Sequence, residues 1–161
     1  MRGVPSLEVL LARWVLADLP PEEVPDLAVE ALAAGCDASE LGVLATLSRP
    51  TRIQVEDELP ALLARLDAQR PSRRRAVEIV VDDYAMQVAD GVIEASAGAH
   101  KLWRLANGFY EDRRVFSQVA IFVGLASEWD DHPDARAAIE TQIVAEARAF
   151  VESGGIDLDT A

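Results

Sequence analysis

The stretch Val115-Phe116-Ser117-Gln118-Val119-Ala120-Ile121-Phe122-Val123-Gly124-Leu125-Ala126-Ser127-Glu128-Trp129 decides the fold. Its branched core, Val119–Val123, suits a strand, and a strand there would make the protein mixed α and β. Length argues the other way, because strands run about 4–8 residues and a longer apolar run is a helix. Hairpin signals are also missing on both sides. The stretch therefore predicts a helix that is apolar nearly all round, and so buried on several sides.

The neighbouring segments read the same way. Downstream, Asp131 or His132 caps a last helix, with Pro133 early in it and Ile139, Ile143, Val144, Ala147 and Phe150 on its face. Gly154-Gly155 ends that helix, and the tail 154–161 is expected to be mobile. Upstream, Ser96 caps a short helix bearing Ala99, Leu102, Trp103, Leu105 and Ala106. Before it, Val77, Val80, Val81, Tyr84, Ala85, Val88 and Val92 line a helix capped by Ser72 and stopped at Gly91. This helix and the one over 114–129 are the expected core pair.

The first half is helical too. Ser6 caps a helix that Pro20-Pro21 cannot continue. Pro21 opens the next, which Gly35 closes. Asp37-Ala38-Ser39-Glu40 resembles a capping box for a short third helix. Ile53 to Leu66 continue the pattern, with a kink or brief break expected at Pro60. Hydrophobicity drops and arginines gather over 68–75. The expectation is all-α: a single domain, 1–161, of about eight packed helices, with 68–75 marking the boundary between two helical subdomains.

Composition narrows the function. The chain has 161 residues, half of them apolar, and a formal net charge of −13. Such a surface repels phosphate backbones, so nucleic acid is not the expected partner. A basic protein is. Cys36 is the only cysteine, which excludes an internal disulfide and any multi-cysteine metal site. No apolar run approaches the roughly 20 residues that span a bilayer, and no leader pattern precedes the first helix. The expected location is the cytoplasm, with no membrane association, and a homo-oligomer stays open.

Two clusters are candidate binding sites. Glu128-Trp129-Asp130-Asp131-His132-Pro133-Asp134 places a tryptophan, a histidine and four carboxylates at a helix junction. Trp129, Asp130, Asp131 and His132 could anchor a partner there. Glu128, Asp131 and His132 could instead hold a divalent cation, although no cofactor is expected. The plainer reading of these residues is a well-capped turn. In the second cluster, His100, Trp103 and Arg104 share a helix face and could receive an acidic group. Its plainer reading is solvated charge beside a buried indole. Glu78, Asp82 and Asp83 read as a solvated acidic stripe. The run Arg70, Arg73, Arg74, Arg75 reads as a linker pairing with the molecule's own acids.

Asp90-Gly91-Val92-Ile93, Gly98-Ala99-His100-Lys101-Leu102-Trp103 and Gly124–Pro133 resemble sequences of small all-helical bacterial proteins. The stretch Ala34–Leu47 is a weaker match. The resemblance implies a free-standing helical domain and carries no assigned activity, cofactor or catalytic residue. Phosphate loops, nucleophile elbows, zinc motifs and nucleotide fingerprints are missing. The function expected is therefore a non-catalytic protein–protein interaction module, one form of which neutralises a basic partner. One alternative is a metal-dependent hydrolase of a nucleotide or phosphate ester using the acidic helix residues. Another is a helical pocket for a small apolar ligand lined by Trp103, Phe116 and Phe122.

Overall fold

The computed structural model describes residues 5–110 and 112–158, apart from the side chains of Pro5 and Ser6. The Ser6 cap therefore lies outside the described residues. Within them the chain forms eight α-helices and no strand: α1 Pro5–Val15, α2 Val24–Ala33, α3 Ser39–Thr46, α4 Arg52–Arg65, α5 Arg73–Ala89, α6 Ala95–Asn107, α7 Arg113–Asp131 and α8 Arg136–Glu152. Two short 3-10 turns, Pro21–Glu23 and Pro133–Ala135, lead into α2 and α8. Among the described residues no helix is long and apolar enough to cross a membrane.

Packing divides the chain into two units that part between Ile79 and Val80, within α5. The arginine-rich 68–75 segment falls inside the first unit. Arg70 reaches back to Glu56 Oε2 at 2.6 Å, and Arg75 pairs with Glu78 at 2.9 Å.

In the first unit α1 packs on α2, α2 on α3 and α3 on α4. Leu10, Trp14, Leu19, Val24, Leu41, Leu44, Leu59 and Leu62 are fully or almost fully buried in its core. The Trp14 indole N–H donates to Glu56 Oε1 at 2.6 Å and so ties α1 to α4. Arg70 holds the Glu56 carboxyl below its usual range, against the opposing effect of burial and with help from Trp14 and Arg52. Gly35 closes α2 at φ +92°, a left-handed conformation that a side chain resists.

One expectation fails in this unit. Asp37-Ala38-Ser39-Glu40 forms no capping box, because α3 starts at Ser39 and its cap position is Ala38, which has no side-chain acceptor. The box lies one helix later, where Thr51 and Gln54 cap each other's backbone N–H. α4 then runs unbroken through Pro60. Pro60 has no N–H to donate to the Glu56 carbonyl one turn back.

In the second unit α6, α7 and α8 pack pairwise on one another. Tyr84, Val88, Leu102, Val119, Phe122 and Ile143 are among its buried residues. Val92, expected on the apolar face of α5, instead lies past the helix end and is 70% exposed. The 119–123 run is helical, yet α7 is not apolar-buried all round: Phe116 and Ile121 are exposed. At the start of α5, in the first unit, Ser72 caps the helix as expected, accepting from the Arg75 N–H at 3.2 Å. Ser96 does not cap α6. It lies buried inside the helix, whose cap position is Glu94.

The acids of α5 are not a plainly solvated stripe either. Asp82 Oδ1 accepts from the Ile156 N–H at 2.8 Å, and Asp83 accepts from Gln87 at 2.5 Å. The Asp82 bond also ties the start of the tail to α5. Ile156 and Leu158 are buried, and Gln118 bonds to both backbone groups of Asp157. The remaining tail, 159–161, lies outside the described residues.

Candidate functional site

The two clusters singled out in the sequence meet in the second unit. Helical spacing places His100, Trp103 and Arg104 on one side of α6, and Trp129 and Asp130 end α7, which packs on α6. His100 joins the two helices. Its Nδ1 lies 2.7 Å from the Ser96 carbonyl oxygen, and its Nε2 lies 3.2 and 3.1 Å from the two Asp130 carboxylate oxygens. The Trp103 ring is tilted 6.0 Å away, and the Trp129 ring stands edge-on at 5.9 Å.

Both imidazole nitrogens therefore face acceptors. A neutral ring carries one N–H and satisfies one of them, whereas the imidazolium donates to both. Burial opposes that charge most strongly. The Ser96 carbonyl and the Asp130 carboxylate together outweigh burial and the nearby Arg104, so the His100 pKa is raised above 6.5. Stability linked to this group is fully present below 6.5 and is lost as pH rises through the higher folded value. His100→Gln is expected to flatten the stability profile across that window. Unfolding midpoints between about pH 5 and 9 would show it. Equal slopes in wild type and variant would exclude His100 as the linked group.

Trp129 is held from α8. The Arg136 guanidinium lies 3.9 Å from its ring centroid, and Arg136 Nε donates to the Trp129 carbonyl at 3.1 Å. The indole N–H donates to Glu140 Oε1 at 3.2 Å. Glu128, Asp130, Asp131 and Asp134 are exposed around this half-buried indole. The result is a cluster of exposed carboxylates around an indole that Arg136 and Glu140 hold in place.

The other expected site residues fall elsewhere. His132 does not cap α8. Its Nδ1–H turns back to the Glu128 carbonyl at 3.1 Å, which the His132 backbone N–H also reaches at 2.9 Å, so the residue closes α7. The reason is local: Pro133 starts a 3-10 turn, and α8 begins only at Arg136, with Ala135 at its cap. Among the described residues no three His, Cys, Asp or Glu side chains form a metal-ligand group, so Glu128, Asp131 and His132 are not gathered as one. Arg104 is exposed at the edge of the His100 hub. Phe122 is buried against Phe150, with ring centroids 5.9 Å apart, while Phe116 is 38% exposed on the same helix. Trp103, Phe116 and Phe122 therefore do not face one space.

Sequence reasoning missed Arg136 and Glu140. They stand four apart on α8, which is the readable signal, but nothing in their spacing shows that Trp129 lies against them.

The protein is all-helical, and its C-terminal unit places exposed carboxylates beside the half-buried Trp129. No family model, curated protein or solved structure matches the chain.

Proposed function

We propose that this protein is an interaction module that binds a basic protein partner through the acidic, tryptophan-centred end of α7. One observation carries the reading: His100 and Asp130 lock together beside Trp103 and Trp129, under a rim of exposed carboxylates. Interface hot spots are enriched in tryptophan, and side chains already held in place lose less freedom on binding. The charge of −13 would steer a positively charged partner and speed its association. Neutralisation of that partner is one form the activity takes.

Capture from native lysate tests the proposal. The comparison is wild type against a Glu128→Gln, Asp131→Asn, Asp134→Asn variant, which leaves the His100–Asp130 pair intact. Wild type is expected to retain a basic protein in stoichiometric amount. The variant should retain at least tenfold less, and raising salt from about 0.05 to 0.5 M should release the protein. Retention that ignores both substitution and salt, or no basic protein retained at all, overturns the reading.

A further inference from the structure

A cleft of about 500 Å³ lies in the second unit between the turn joining α5 to α6 and the flank of α8. Its size falls within the range of roughly 300–1,000 Å³ typical of ligand clefts. Val88, Val92 and Ile93 contribute its apolar wall from one side and Val144 from the other. Glu94 and Glu140 are its charged residues, and none of the described residues lining it is basic.

The turn is held rather than loose. The Val92 and Ile93 N–H groups both reach the Gln87 carbonyl, at 2.8 and 3.3 Å, and Gln87 is itself bonded to Asp83. Gly98 allows the end of α5 that leads into this turn to sit tightly on α6, because a methyl there would run into Val88 Cγ2. Val92 is nevertheless 70% exposed. A large aliphatic side chain is thus presented to solvent on a fixed backbone. Glu94 occupies the cap position of α6 without bonding its N–H groups. Glu140 accepts from Trp129 through Oε1, and a carboxylate has further acceptor capacity.

We infer that this cleft seats a lysine- or arginine-bearing aliphatic segment of the partner protein. The chemistry is complementary in both parts. The long stem of a lysine or arginine packs along aliphatic surface while its charged head seeks a carboxylate. Here Val92 and Val144 supply the surface, and Glu94 and Glu140 supply the charge. Glu140 also joins the cleft to the Trp129 surface, so one basic segment covers both. The inference rests on the interaction reading above and names what the partner must bring.

The test is amide and indole NMR mapping with defined probes. The first is a capped peptide of about 15 residues with leucine and lysine at helical spacing, and the second has glutamate in place of lysine. The leucine–lysine peptide is expected to shift amides over 91–95 and 137–144 and the Trp129 indole, leaving the Trp14 indole unmoved. Glu94→Gln with Glu140→Gln should weaken binding at least tenfold. Glutamine keeps an acceptor for Trp129, so an unchanged Trp129 indole signal in the free variant shows that the fold is intact. Val92→Ser should weaken binding several-fold. Equal response to the glutamate peptide, or binding that ignores the two glutamines, overturns the inference. Shifts confined to 128–134 also overturn it while leaving the acidic-surface reading standing. No shifts in either region remove the cleft as a seat, and the lysate capture then decides the broader reading alone.

Discussion

Trp14→Ala is expected to destabilise the first unit by about 3–5 kcal/mol, the range for removing a large aromatic from a packed core. Trp14 is 1% exposed, so almost the whole indole is lost from the interior. The substitution also deprives Glu56 Oε1 of its 2.6 Å donor and leaves Arg52, 4.5 Å from the ring centroid, with nothing to stack on. Natural domains are stable by about 5–15 kcal/mol, so this single change takes a large share. Hydrogen exchange over α1–α4 is the direct measurement. A loss of about 4 kcal/mol raises exchange through unfolding by roughly three powers of ten. Trp14→Phe separates the two contributions. It keeps most of the apolar volume and loses only the hydrogen bond, which is worth about 1–3 kcal/mol when its charged partner is left half-buried. An alanine variant within about 1 kcal/mol of wild type would show that the α1–α4 tie does not hold this core.

The helical class was readable because it rests on periodicity and on punctuation that acts locally. Gly35, Gly91 and the Pro20-Pro21 pair end or begin helices through backbone geometry alone, and the structure places them at those ends. Caps were less legible. Asp37-Ala38-Ser39-Glu40 and Thr51-Arg52-Ile53-Gln54 have the same four-residue form, and only the second becomes a box. Which residue starts a helix depends on where its apolar face docks, and the sequence does not contain that. Ser96 shows the same limit, since burial drew it inside α6.

The candidate site was legible as two separate clusters and not as one. His100 and Asp130 are thirty residues apart, and only the packing of α6 on α7 brings Nε2 within 3.1 Å of the carboxylate. Arg136 and Glu140 were invisible for the same reason. Their function is to hold Trp129 from a third helix.

Phe122→Ala is expected to cost the second unit about 3–5 kcal/mol, whereas Phe116→Ala on the same helix should cost less than about 1 kcal/mol. The two residues are six apart, which at about 100° per residue sets them on different sides of α7. Phe122 is fully buried, with its ring edge-on to Phe150 of α8 at 5.9 Å, so its loss leaves a cavity between two helices and ends an aromatic contact. Phe116 is 38% exposed and leaves little void. Hydrogen exchange over α6–α8 measures both. This pair tests the reading that first decided the fold. A helix buried on every side would lose comparable stability at both positions. A helix with one buried face, as α7 is here, loses it at Phe122 alone. Equal large costs would mean that a further surface covers Phe116 in solution. Equal small costs would mean that α7 is not packed on α8 as tightly as the Phe122–Phe150 contact requires.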